Sequence, residues 1–425
     1  MIGPHDWAIG KEIAIVSPSP DSATPGTRAS LRALPRNVWA VTVTSFLNDI
    51  SSEVILSLLP LFLVNVLGAR TTVVGLIEGI AESTASLLKI VFGWISDRLR
   101  RRKAPTLVGY AISAVAKPFL YFAASWWGVL AVRFADRVGK GVRTAPRDAL
   151  VADSIDEEHR GLAFGLHRAG DTAGATVGLL IALGVVWATQ AGALTLARDT
   201  FQRLVLISAI PATLAVLTLA LGARDVPVTG EAAAPRLSLR GFDTRFRRFL
   251  VVVAVFALGN SADAFLILRA QERGLSVLGV LGMLITFDLV YALVSGPAGA
   301  LSDRVGRRRL IVGGWLVYGL LYLGFALASV PWQIWALYAL YGIYYGAVEG
   351  TARAYVADVV PRRQRGTAYG VYNAAVGVAA FPASLIAGLL WQQIAASAPF
   401  VFGAALALLA AALFVTWVPE SGTEG

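Results

Sequence analysis

Residues 93–104 read Gly-Trp-Ile-Ser-Asp-Arg-Leu-Arg-Arg-Arg-Lys-Ala, and residues 299–310 read Gly-Ala-Leu-Ser-Asp-Arg-Val-Gly-Arg-Arg-Arg-Leu. The first stretch sets five cations and one aspartate between two long apolar runs, and the second nearly repeats it 206 residues later. Everything around them is oily. Of 425 residues, 56% are apolar and only 15% are charged, with a mean hydropathy of +0.65. Ordinary soluble domains sit nearer 45–50% apolar and about 25% charged. The runs 204–221, 310–330 and 399–418 contain no charge, and each reaches the ~18–20 residues that cross hydrocarbon. The composition therefore predicts an all-α polytopic membrane protein with the lipid bilayer as its solvent.

The net charge of +10 is concentrated in short arginine clusters between apolar runs, at 98–103, 245–248, 304–309 and 362–365. The alternate loops are nearly bare, with Arg70, Arg198, Arg269 and Arg273 as the exceptions. Such alternation marks topology and sets the arginine-rich side in the cytoplasm; it argues against nucleic acid as a partner. The chain has no cysteine, which excludes disulfides and thiolate metal sites. Residues 1–36, rich in Pro and Ser at their start, lack a full apolar h-region, so a cytoplasmic tail is expected there rather than a cleaved leader.

Turn signals and loop charges divide the rest into twelve helices, near 37–66, 72–96, 105–124, 126–152, 161–190, 201–222, 247–268, 275–301, 310–329, 332–357, 366–392 and 398–418. An even count puts both termini on one side, expected to be the cytoplasmic face of the cell's inner membrane. The polar stretch 223–246 reads as a linker between six-helix bundles at 37–222 and 247–418, with a short tail at 419–425. Further repeats support that division. Leu150-Val-Ala-Asp153 answers Tyr355-Val-Ala-Asp358, Arg160-Gly161 answers Arg365-Gly366, and Ala163-Phe-Gly165 answers Ala368-Tyr-Gly370, at an offset of 205 rather than 206. Two related bundles would place a substrate site between them near mid-membrane.

The pattern Gly-x-x-x-Asp-Arg-x-x-Arg-Arg, here Gly93, Asp97, Arg98, Arg101 and Arg102 and again Gly299, Asp303, Arg304, Arg307 and Arg308, resembles the loop motif of the major facilitator superfamily. The resemblance covers residues from about 37 to 418. It implies a twelve-helix secondary transporter in two pseudo-symmetric bundles, with Asp97 and Asp303 in cytoplasmic gate latches. The residues permit the same reading on their own, because an aspartate at a helix exit can join an ion-pair network that holds one arrangement and breaks in another. A solvated surface pair of little worth is the alternative.

Charges inside the helices mark the candidate path. Glu78, Glu82 and Lys89 fall on one narrow face of the second helix. Glu82 stands opposite Asp288 in the repeat, and Asp288 has no nearby cation in sequence. Mutual neutralisation of Glu82 and Lys89 is the competing reading. In the first helix Asp49 and Glu53 are one turn apart, and Asn260-Ser-Ala-Asp263 supplies the counterpart in the seventh. A carboxylate withdrawn from water holds its proton more readily and can exchange it as access alternates; a packing hydrogen bond is the plainer use. Arg133-Phe-Ala-Asp136-Arg137 partly resembles the superfamily's fourth-helix Arg-x-x-Gln-Gly motif, whose arginine is associated with proton coupling, with Asp136 and Arg137 in place of its last two residues. Charge compensation for Asp136 is the other role open to Arg133.

His167, Arg168 and Asp171 cluster within one turn of the fifth helix, followed by Gly170, Gly174 and Gly178 at four-residue spacing, which suits close helix approach. The Gly-Pro pair usual in that helix of drug–proton antiporters is absent, since Leu179 follows Gly178. His167 lacks partner ligands for a metal site. On the tenth helix Tyr338, Tyr341 and Tyr345 share a face that could stack on an organic solute or simply pack, with Glu349 beyond them. Trp332 and Trp335 suit the membrane interface.

The expected function is proton-coupled export of an organic solute or drug by alternating access, by a monomer without a cofactor. Proton-coupled uptake is the first rival, and the cations within the helices would suit an anionic solute in either direction. A non-transporting membrane receptor is the rival from another class. No GxxxxGK[ST] loop for ATP occurs, and no enzymatic constellation is expected.

Overall fold

The computed structural model describes residues 34–156, 159–226, 241–361 and 364–418, apart from the side chains at 299–304, 349 and 366. The expectations for residues 1–33, 227–240 and 419–425, and for the side chains of Gly299, Asp303, Arg304 and Glu349, lie outside the described residues. The remainder is helical, with no strand among the described residues. Twelve spans follow in order: α1 Arg36–Val66, α2 Thr71–Leu99, α3 at 103–122, α4 Trp126–Asp153, α5 Arg160–Gln190, α6 Arg198–Gly222, α7 Thr244–Glu272, α8 Val277–Val305, α9 Arg307–Leu327, α10 Pro331–Val359, α11 Arg365–Gln393 and α12 Ala398–Trp417. Eight are long and apolar enough to cross a bilayer by length and composition. The other four are α2 and α4, which carry many of the ionisable groups, α3, which tightens into a 3₁₀ segment at Lys117–Phe122, and the tyrosine-rich α10.

Two spans are interrupted. The sequence reads as one continuous seventh helix, but α7 stops at Gly259 and restarts at Ala264. The backbone freed at this break finds side-chain partners: Tyr318 Oη donates to the Gly259 carbonyl at 3.3 Å and the Ala262 amide donates to Ser384 Oγ at 3.3 Å. Irregular backbone at membrane depth is tolerated where it lines a protein cavity, and Asn260–Asp263 does so. In α1 the regular helix ends at Leu56 and a π-turn runs over Phe62–Val66.

Small residues set the closest packing. A methyl group at Gly174 would strike the Phe46 carbonyl oxygen, so the glycine spacing seats α5 directly on α1. Gly75 meets the Ser384 carbonyl in the same way, bringing α2 onto α11. Between these contacts lies one continuous apolar cluster that runs through both six-helix sets, from Val54 and Phe62 to Phe325 and Phe414.

The end anchors repeat across the two sets. Arg102 Nε pairs with Asp153 Oδ2 at 3.0 Å, and Arg307 pairs with Asp358. Lys103 Nζ donates to the Ala220 carbonyl near the end of α6 at 2.7 Å; Arg308 donates to the Val415 carbonyl near the end of α12 at 2.8 Å. The side chains Arg102 and Arg307, Asp153 and Asp358, and Lys103 and Arg308 stand 205 apart, while the preceding Gly93 and Gly299 stand 206 apart. The turn between them explains the change. Arg100, the lone non-glycine with positive φ among the described residues (50°), and Gly306 (94°) both reverse the chain. After Gly306, α9 starts at once, whereas one more residue separates Arg100 from Arg102.

Two of the cations on the arginine-poor side are helix caps. Arg269, fully buried, donates to the carbonyls of Phe325 at 3.0 Å and Ala326 at 2.8 Å at the end of α9. Arg198 donates to the Ala123 carbonyl beyond α3 at 3.1 Å. Each satisfies carbonyls that a helix end leaves unpaired, so these residues are exceptions to the loop pattern for a structural reason.

Candidate functional site

Across the middle, α1, α2, α4 and α5 face α7, α8, α10 and α11 around a cavity of about 490 Å³. The first six helices supply Glu53, Glu78, Glu82, Arg133 and Arg137; the last six supply Asp263, Asp288, Phe287, Tyr338, Tyr341 and Tyr345. Nine of the sequence-predicted residues therefore meet in one chamber. A second chamber of about 350 Å³ opens beside it and shares Ala175, Phe287, Asp288 and Tyr345 as common wall. Asp49, Lys140, Arg143, Arg147, Arg168 and Asp171 line this second space.

Pairing differs between the charges. Arg133 Nη2 bonds Glu78 Oε2 at 2.7 Å, with both residues buried, while Asp136 stands 3.9 Å from its Nη1. Glu78 rather than Asp136 is thus the main partner of Arg133. Arg137 Nη2 meets Glu82 Oε1 at 3.2 Å, so Glu82 is neutralised from α4, and not by Lys89 on its own helix. A buried guanidinium and carboxylate tolerate the membrane interior because each compensates the other. Glu53, Asp263 and Asp288 have no cation within 4.0 Å among the described residues. Asp263 instead accepts a hydrogen bond from Tyr341 Oη at 3.4 Å, and Asp49 accepts one from Asn48 Nδ2 at 3.1 Å.

The tyrosines both pack and line. Tyr338 and Tyr341 are almost wholly buried, their rings within 5.1 and 5.7 Å of Phe287, yet their edges wall the chamber with Tyr345. Trp332 is largely exposed, as an interface residue should be, but Trp335 turns inward and donates to Thr286 Oγ1 at 3.1 Å. His167 and Asp136 are buried behind the cavity rather than in its wall. His167 Nε2 stands 3.7 Å from Asp171, too far for a hydrogen bond.

The sequence reading missed most of the cationic face of α4. Arg133, Arg137, Lys140, Arg143 and Arg147 recur at spacings of four, three, three and four, the periodicity of a single helical stripe, and that spacing was visible throughout. Lys117 was missed as well. It is buried on α3 and donates to Ser51 Oγ at 3.2 Å and Ser52 Oγ at 2.7 Å.

The described gate candidates lie away from both chambers. Asp97 pairs with Arg102, and the same guanidinium bridges Ser96 at 3.1 Å and Asp153 at 3.0 Å. Its backbone amide donates to Asp225 at 2.9 Å. Arg102 is therefore the hub of this network, whereas Arg98 lies over Trp94 at 5.5 Å. Gly93 packs against Ala145 on α4. Arg101 contributes its carbonyl, which accepts from Ser96 Oγ at 3.0 Å.

Contacts between the two six-helix sets gather at the arginine-poor end. Asn65 Nδ2 donates to Gln271 Oε1 at 3.0 Å and Gln271 Nε2 returns a bond to Asn65 Oδ1 at 2.8 Å. Val277 and Ala193 join backbones at 3.1 Å, and Thr71 Oγ1 reaches the Gly388 carbonyl at 3.3 Å. Deeper, Ser83 Oγ donates to the Gly377 carbonyl at 2.7 Å, and Arg168 Nη2 donates to Tyr291 Oη at 2.6 Å.

A multi-pass helical membrane protein with a charged chamber enclosed between two sets of spans is a carrier by architecture. The Major Facilitator Superfamily model matches residues 41–289 and 249–425, and the chain belongs to that family of transporters. An uncharacterized MFS-type transporter of Methanocaldococcus jannaschii is 34% identical over 390 residues, 90% of this chain and 95% of that one. A multi-drug resistance efflux pump of Streptococcus pneumoniae is 25% identical over 330 residues, 75% of this chain and 80% of that one. Among solved structures, a bacterial homolog of the human lysosomal transporter Spinster, inward-facing and occupied, has a TM-score of 0.72 at 18% identity, covering 89% of this chain and 95% of that one; this likeness is one of fold.

Proposed function

We propose that this transporter exports an organic cation in exchange for protons, through a chamber at the interface of two six-helix bundles. The single observation that carries the reading is the uneven pairing of charge in the larger chamber. Arg133 and Arg137 are taken up by Glu78 and Glu82, which leaves Glu53, Asp263 and Asp288 as surplus acid beside three tyrosines. Unpaired carboxylates in a poorly hydrated site are neutralised by protons when nothing else is present. An aromatic or aliphatic ammonium can displace those protons, held by the carboxylates and by the faces of the tyrosine rings. Opening to the other side lets protons return and expel the cation. Asp49, Arg133, Asp136, His167 and Asp171 flank this exchange and set the field in which it occurs.

The positive-inside pattern orients the arginine-rich loops and both ends of the described chain toward the cytoplasm. The contacts at the opposite end then close the external side, and the chamber is reached from within. The resemblance of the S. pneumoniae efflux pump over most of both chains agrees with export. Expelling a cation against an inside-negative potential costs about 2.3 kcal/mol per 100 mV, so a driving ion is required, and proton entry supplies it.

The test is flux in proteoliposomes with an imposed pH gradient, using ethidium and tetraphenylphosphonium as cationic probes and salicylate as an anionic control. Export of the cations should follow the gradient and vanish with its collapse. Asp288→Asn should lower gradient-driven flux by about 100-fold or more, the scale of a lost coupling group. Flux of salicylate alone, or cation flux indifferent to the gradient, would overturn the reading. Counterflow of no solute at all would leave the receptor reading in its place.

A further inference from the structure

The smaller chamber differs from the larger one in the sign of what it offers. Four cations line it, Lys140, Arg143, Arg147 and Arg168, against Asp49, Asp171 and the shared Asp288. Some are occupied: Arg147 bonds Asp148 at 2.8 Å, and Arg168 bonds Tyr291 across the two helix sets. Two have no carboxylate within 4.0 Å among the described residues. Arg143 is buried with a hydroxyl partner, Ser113 Oγ at 2.6 Å, and the face of Tyr110 at 4.7 Å. Lys140 makes no side-chain hydrogen bond or ion pair among the described residues, although it lines the cavity. Chamber walls held in common at Phe287, Asp288 and Tyr345 make the two spaces contiguous.

We infer that the smaller chamber is a second subsite, which takes a carboxylate or phosphate group carried by the same solute whose cationic group occupies the larger chamber. The transported class is then amphoteric and aromatic, with an amine among Glu53, Asp263 and Asp288, a ring against Phe287 and Tyr345, and an acidic group toward Lys140 and Arg143. This assignment rests on the cation-binding reading of the larger chamber. Its chemistry follows from the chain's own charges. Lys140 is a compact charge on a flexible stem with three free donors, able to meet an anion without breaking an existing pair. Arg143 has donors beyond the one spent on Ser113. Asp49 and Asp171 keep the chamber from being a general sink for anions, since a purely anionic molecule meets repulsion on two sides and gains nothing from the acid-rich chamber beyond.

Binding to the purified full-length protein separates the two readings. The probes are 4-methylbenzylamine, a series of 4-(aminomethyl)phenylalkanoates of increasing chain length, and the matching phenylalkanoates without the amine, measured by displacement of ethidium. At the best length the amphoteric compound should bind about ten-fold tighter than 4-methylbenzylamine, the scale of one charge-assisted contact. Lys140→Gln should erase that gain while leaving 4-methylbenzylamine unchanged, and Lys140→Arg should restore it. Equal or weaker binding by every amphoteric compound, or a gain that survives in Lys140→Gln, overturns the inference while leaving cation binding standing. Added inorganic phosphate that strengthens 4-methylbenzylamine binding, with no advantage for the linked compounds, also overturns it by assigning the subsite to a free anion. Failure of every amine to bind would instead strike the cation reading itself.

Discussion

The two six-helix sets share their fastenings and differ in what they turn toward the cavity. At the helix ends Arg102–Asp153 and Arg307–Asp358 occupy equivalent places, and the corresponding ends of α3 and α9 are both capped by arginines, Arg198 and Arg269, though these come from non-equivalent positions on α6 and α7. Inward, the first set presents guanidinium–carboxylate pairs from α2 and α4, and the second presents two carboxylates in a wall of aromatic rings. Duplication preserves what any such bundle needs to hold its ends together. The inner walls differ: the first set also brings the unpaired Glu53, while Phe287 and the three tyrosines come from the second set alone.

If the first wall is built from compensated charge, breaking one pair should be the most damaging change. Arg133→Ala leaves Glu78 buried without its partner, at a cost of about 3–5 kcal/mol. Removing both charges, in Arg133→Gln with Glu78→Gln, should cost far less than the single substitution, because no ion is then stranded. Denaturant unfolding in detergent measures both. The comparison breaks if the double variant is the less stable one. On the other wall Tyr341→Phe removes one 3.4 Å bond to Asp263 and should shift stability by about 1 kcal/mol or less; on the proposed cation-binding reading its main effect falls on cation affinity.

The matched fastenings allow a sharper contrast, since they are equivalent in position but not in burial. The Arg102 side chain is 8% exposed and holds Asp97, Ser96 and Asp153 together, whereas the Arg307 side chain is 28% exposed. Arg102→Ala should cost about 2–3 kcal/mol, the value of hydrogen bonds to charged groups in a sheltered site. Arg307→Ala should cost about 1 kcal/mol or less, as solvent-screened pairs do. Equal losses in thermal unfolding would mean that burial does not govern these anchors.

Sequence periodicity made the framework legible because a bilayer leaves little freedom: twelve helices, eight of them apolar enough to cross a bilayer, with boundaries within a few residues, and the duplication all followed from hydropathy, turn signals and loop charge. The family resemblance rested on Gly93 to Arg102 and its echo, residues whose order is itself the signal. Helix faces were also readable, which is why Glu53, Glu82, Arg133, Asp263, Asp288 and the three tyrosines meet in one chamber. Partners were not. No spacing along α2 could show that Arg137, on α4, neutralises Glu82, because pairing between helices depends on their relative rotation. The break in α7 escaped for a similar reason: its freed backbone is satisfied by Tyr318 and Ser384, from helices far away in sequence. Lys117 was hidden by its hydroxyl partners, which leave no charge pattern to notice.

A small shift in population tests whether the two sets also share a latch where they touch. Asn65 and Gln271 exchange hydrogen bonds at 3.0 and 2.8 Å and stand 206 residues apart, so the pair joins equivalent ends of α1 and α7. Each amide is also tied to the loop after α5: the Leu196 amide donates to Asn65 at 2.9 Å, and Gln271 donates to the Leu194 carbonyl at 2.7 Å. Neutral amides bond without moving charge, so this closure should be weak enough to open on each cycle. Asn65→Ala should remove about 0.5–1.5 kcal/mol from the closed arrangement, enough to change its population about two- to ten-fold. The absence of cysteine makes the measurement direct, with spin labels at Leu194→Cys and Leu327→Cys reporting the separation across the arginine-poor end. A longer-distance population that grows in Asn65→Ala, and again in Gln271→Ala without adding in the double variant, identifies one shared latch. Additive growth would show that each amide acts through its loop alone, and that the two sets meet there without a common lock.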